Sequence, residues 1–89
     1  MKTPNGHEDR PKNIVGPRIR RARLEFKPPL TQDQLSGRLA AKGLTLDRVA
    51  ITKIESLNRS VFDFELPVLA EVLKVDLRWL LTGKVDLNE

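Results

Sequence analysis

Apolar residues recur at helical spacing in five stretches of this chain, and strand-like alternation is almost absent. In the first, Ile19, Ala22 and Phe26 share one face, which predicts a helix from about Val15 or Pro17 to Phe26. Pro28-Pro29 stops it, because a proline disfavours helical geometry at the residue before it. In the second, Thr31 and Gln34 form a capping box, Leu30 and Leu35 a hydrophobic staple, and Leu35 and Leu39 an inward face. Gly43 suits the left-handed residue that ends such a helix. The third starts at Asp47, a good N-cap, and turns Ile51 and Ile54 inward. After a loop over Ser56 to Phe62, the fourth begins near Asp63 with Leu66, Leu69, Ala70 and Leu73 facing the core. Asp76 caps the fifth, which carries Leu77, Leu80 and Leu81 and stops at Gly83. The expected fold is all-α: one five-helix domain over residues 14–83, a flexible basic tail over 1–13 and a short tail over 84–89.

The stretch from Thr31 to Glu55 organises the rest. Two short helices share a small core there, and the second turns Arg48, Thr52 and Lys53 outward, the arrangement of a helix-turn-helix. The turn is long, with Leu44 and Leu46 expected beneath it; the alternative is a plain helical bundle. Arg23 follows the core position Ala22 and lies one turn from Ile19, so it can lean inward. Trp79, the single tryptophan, is expected at the edge of the core.

Charge changes the picture because it is uneven. Residues 1–27 hold eight Lys/Arg against three acids, residues 28–59 five against three, and residues 60–89 three against six. A basic end and an acidic end suit a polyanionic partner on the first side alone. There is no cysteine, so disulfides and Cys-based zinc sites are excluded and a reducing, cytoplasmic setting is natural. No apolar run is long enough for a membrane span, so no membrane partner is expected. His7 stands alone in the tail, without a second ligand for a metal, and no metal or cofactor is expected. Asn58-Arg59-Ser60 matches a glycosylation sequon only formally, since no secretion signal precedes it.

Taken together, Thr31-Gln32-x-x-Leu35, Ile51-Thr52-Lys53-Ile54-Glu55, Leu66 to Val75 and Leu77 to Leu81 resemble the phage-repressor and Cro class of helix-turn-helix regulators, also called the xenobiotic-response-element class. The resemblance covers roughly Pro17 to Gly83 and points to the subgroup with a longer central turn. The chain departs from the pattern at Pro28-Pro29, in place of a short glycine turn, and at Phe62, where a capping Ser or Thr is frequent; Asp63 is then expected to cap. The resemblance implies a lambda-repressor-like domain whose third helix enters the DNA major groove. It implies that Arg48, Val49, Thr52 and Lys53 face the bases, and all four also lie off the Ile51/Ile54 face. Arg48 and Lys53 have the chemistry to read guanine, and Val49 can meet only a thymine methyl or sugar. It implies phosphate contacts from Gln32 at the start of helix 2 and from Asn58 and Arg59 in the following loop. It also implies an ion pair between Arg23 and Glu55. A separate reason supports the pair: Glu55 borders the buried face at a helix C-terminus, where a lone carboxylate is costly.

The function expected is sequence-specific binding of double-stranded DNA as a transcriptional regulator, a repressor acting as a homodimer on a palindromic operator. Helix 5 with Trp79, or Val85 and Leu87, is the expected two-fold contact. The alternative is an antitoxin or adaptor whose main partner is another protein. No paired inward carboxylates, Ser/His/Asp set or phosphate-cradling glycine loop points to an enzyme.

Overall fold

Side chains placed just ahead of the helices fix where several of them begin. In the computed structural model, which describes residues 11–84, the elements are α1 (Gly16–Leu24), α2 (Gln32–Ala41), α3 (Arg48–Glu55), α4 (Leu66–Leu73) and α5 (Leu77–Thr82). The Thr31 hydroxyl accepts from the Gln34 N–H at 3.0 Å while the Gln34 side chain accepts from the Thr31 N–H at 2.8 Å, closing the capping box of α2. Asp47 caps α3 by accepting from the Ala50 N–H at 2.8 Å, and Asp76 caps α5 by accepting from the Arg78 N–H at 2.6 Å. Gly43 and Gly83 follow α2 and α5 with φ of 87° and 77°, the left-handed geometry that glycine adopts without steric cost.

Two expected boundaries move. α1 ends at Leu24 rather than Phe26. The Glu25 N–H closes the last turn on Arg21 and Ala22, and the Leu30 N–H returns to the Arg23 carbonyl at 3.0 Å, so the chain has already turned away. Phe26 packs against the core from outside the helix, with the Arg38 guanidinium 5.3 Å from its ring centroid. The Lys27–Pro28 peptide is cis. The fourth helix is preceded by a tight 3-10 turn, Asp63–Glu65, and Asp63 is not its cap. The Phe62 N–H is satisfied instead by the Glu65 carboxylate at 2.9 Å. Glu65 can do this because its side chain folds back over the turn, where an acid three residues in reaches the first free N–H.

The core is drawn from every helix. Ile19 and Ala22 of α1, Leu35 and Leu39 of α2, Ile51 and Ile54 of α3, Leu69, Ala70, Val72 and Leu73 of α4, and Leu80 of α5 are buried, with Val15, Leu30 and Leu46 from the connections. α1 and α2 each pack on both α3 and α4, and α5 packs on α4. Removing this much apolar surface from water is what holds so short a chain, since no helix here is long enough to be stable alone. Leu44 and Trp79 lie at the edge of the core, and Leu77 is left partly exposed. Among the described residues no helix is long and apolar enough to cross a membrane.

The stretch expected as a tail is anchored at its inner end. The Lys12 N–H donates to the Leu57 carbonyl at 3.1 Å, and the Asn13 side chain bonds the domain on both of its ends. The remainder of that tail, with His7, and the C-terminal residues that include Val85 and Leu87 lie outside the described residues.

Candidate functional site

α3 is short, and it is positioned by its buried face and by its C-terminal end. Ile51 and Ile54, each 1% exposed, seat it in the core. At its C-terminal end the Leu57 N–H donates to Ile54 and the Asn58 N–H to Lys53, at 3.0 and 2.7 Å. This closure requires Leu57 to take φ of 70°, which costs a non-glycine residue about 1 kcal/mol. Asn13 then ties this end to α1. Its amide donates to the Ile54 carbonyl at 3.0 Å and the Arg59 carbonyl at 2.8 Å, while its oxygen accepts from the N–H groups of Val15 and Gly16. Gly16 sits so close to α3 that a Cβ there would strike the Ile54 carbonyl oxygen.

Beneath α3 lies a buried polar network. Arg23 donates through Nε to Glu55 Oε2 at 2.8 Å and through Nη2 to Glu55 Oε1 at 2.9 Å. Its Nη1 donates to the Leu30 carbonyl at 2.8 Å. The two side chains are 9% and 5% exposed, so the charges are shielded from water and must satisfy one another. Glu55 takes a third bond from Gln32 Nε2 at 3.1 Å, and Gln32 Oε1 in turn accepts from the Thr52 hydroxyl at 2.9 Å. The chain Arg23–Glu55–Gln32–Thr52 therefore runs from α1 through α3 and α2 to the outer surface of α3. No buried side-chain polar atom among the described residues is left without a partner.

That outer surface holds Arg48, Val49, Thr52 and Lys53, all exposed. Arg48 and Thr52 are one turn apart, as are Val49 and Lys53, so the four form a compact patch. Val49 is 61% exposed, an apolar side chain left in water between cations. The side chains of Arg48 and Lys53 make no hydrogen bond or ion pair with any of the described residues. Arg48 also lines a shallow polar groove with Thr31, Gln32 and Asp33 at the start of α2.

The three residues expected at phosphates are placed differently from one another. Gln32 is engaged at both ends of its amide, yet one N–H of its Nε2 remains free. Asn58 is exposed beside α3 and donates to the Ser56 hydroxyl at 3.0 Å. Arg59 is turned onto the protein. It donates to both oxygens of Glu65 at 3.1 and 3.2 Å and to the Ser60 carbonyl at 2.7 Å, with its guanidinium 5.8 Å from the Phe62 ring centroid. Its charge is matched by a carboxylate that is nearly buried, so Arg59 serves the loop before it could serve a phosphate.

Sequence reasoning missed three residues that hold this site. Asn13 falls within the expected tail, although an Asn a few residues ahead of Gly16-Pro17 is a capping signal. Gly16 showed nothing, because its role is proximity to a helix far along the chain. Glu65 lies in a short turn without helical period, next to Asp63, the more familiar cap. Among the described residues no group of three His, Cys, Asp or Glu side chains is placed to hold a metal ion. No family model, curated protein or solved structure matches the chain.

Proposed function

We propose that this protein is a cytoplasmic, sequence-specific double-stranded DNA-binding regulator of the phage-repressor and Cro kind, a repressor bound as a homodimer to a palindromic operator. The observation that carries the reading is the outer face of α3. Two unneutralised cations, a hydroxyl and an exposed apolar side chain share about one turn and a half of a helix on the face opposite its buried isoleucines. A helix of this size fits the major groove, where Arg48 and Lys53 can donate to guanine O6 and N7 and Val49 can meet a thymine methyl. Asn58 and the free Gln32 N–H lie beside that face, as backbone anchors should.

Fluorescence anisotropy on a site selected from random duplexes and on a scrambled duplex tests this. Arg48→Ala and Lys53→Ala should each cost about 1–3 kcal/mol on the selected site and less on the scrambled one. Equal losses on both would show that the two side chains touch backbone alone, and no binding to either duplex at low salt would end the reading.

One observation favours a second reading, an antitoxin or adaptor that binds a protein. Phe62 and Phe64 are 53% and 66% exposed and stack with centroids 5.7 Å apart, an apolar surface that α3 does not need. Co-purification of a stoichiometric protein partner, lost on Phe64→Ser, would support it.

A further inference from the structure

The network, buried at Arg23–Glu55 and exposed at Gln32–Thr52, has a direction. The Glu55 carboxylate, when ionised, only accepts hydrogen bonds, and both of its oxygens already face Arg23. Whatever Gln32 turns toward it must be a donor, so the amide nitrogen faces Glu55 and the amide oxygen faces Thr52. The amide oxygen only accepts, so the Thr52 hydroxyl must spend its single hydrogen there. What Thr52 then offers outward is oxygen lone pairs.

We infer that the Arg23–Glu55–Gln32 network sets Thr52 as a hydrogen-bond acceptor, and that Thr52 therefore selects a base presenting an amino group in the major groove, adenine N6 or cytosine N4. Resting on the DNA-binding reading above, this adds the polarity of one contact. A free threonine hydroxyl rotates and takes either polarity, so it discriminates poorly. With its hydrogen held by Gln32, it meets guanine O6 or thymine O4 with lone pair against lone pair. Gln32 is a positioning residue in this scheme, acting on base choice through Thr52. Its second amide hydrogen stays available to a phosphate.

The test is selection of duplexes from a random pool by the full chain and by two variants, with thermal unfolding measured alongside. Thr52→Val removes the hydroxyl and marks the operator position it reads. At that position the unaltered protein should favour adenine or cytosine over guanine and thymine by about three- to tenfold, the worth of one hydrogen bond. Gln32→Met keeps length and helix propensity but accepts nothing, so the Thr52 hydroxyl regains its freedom. Preference at that one position should fall to near unity while preferences at the other positions hold; overall affinity and the unfolding midpoint should both drop modestly, since Gln32 also donates to Glu55. Three results overturn the inference with DNA binding intact: a guanine or thymine preference at the marked position, a preference unchanged by Gln32→Met, or no position altered by Thr52→Val. If the unaltered protein enriches no sequence at all, the DNA-binding reading fails and the base choice falls with it.

Discussion

Two arginine–glutamate pairs flank α3, and they do different work. Arg23–Glu55 joins residues 32 apart in sequence, is almost wholly buried, and links α1, the connection to α2, α2 itself and α3. Arg59–Glu65 joins residues six apart, leaves its arginine 26% exposed, and folds a single loop ahead of α4. Both carboxylates are bound at two oxygens, yet only the first reaches the outer face of α3. The contrast teaches that similar geometry serves tertiary placement in one case and local turn formation in the other. What separates them is which backbone and side-chain groups occupy the remaining hydrogen-bonding sites.

Breaking each pair from one side should expose that difference. Glu55→Ala strands a buried guanidinium and should lower the unfolding free energy by about 3–5 kcal/mol in denaturant titrations. Arg23→Ala should cost a similar amount, and the double variant much less than the sum. Additive, small effects would mean that the helices hold their places without the pair. Glu65→Ala should cost less, about 2 kcal/mol, because water can reach the Arg59 it leaves behind and the main loss is the bond to the Phe62 N–H. A loss equal to that of Glu55→Ala would erase the contrast. The smallest effect belongs to Lys42–Glu71, a 2.8 Å pair whose side chains are 51% and 61% exposed. A double-mutant cycle there should give a coupling below about 0.5 kcal/mol.

The need of Glu55 for a partner was legible in the sequence, with Arg23 named by the resemblance, and the second pair was not, for a physical reason. Glu55 ends a helix whose inward face is marked by Ile51 and Ile54, so its own position could be read from periodicity. Glu65 precedes α4 in a 3-10 turn, where no period runs, and Asp63 offered a more familiar cap. The helix starts at Thr31, Asp47 and Asp76 were readable because the cap and its N–H lie within three residues. The clamp by Asn13 was not, since its partners Ile54 and Arg59 are 41 and 46 residues away. Within the outer face, exposure of Arg48, Val49, Thr52 and Lys53 followed from their spacing against the isoleucines. The occupation of Gln32 and Arg59 did not, because a side chain's partners across the fold leave no local mark.

The fit of Gly16 against the Ile54 carbonyl has a consequence for entropy. With Asn13 and Gly16 at one end and Arg23 at the other, α1 is fastened to α3 along its length. The long side chains in these contacts, an arginine among them, give up about 2 kcal/mol of rotamer freedom when the chain folds. That freedom is then already gone when anything meets the outer face. A partner of α3 encounters a helix whose orientation is settled, so the ordering its contact energy must supply falls on the exposed Arg48 and Lys53 side chains rather than on the helix.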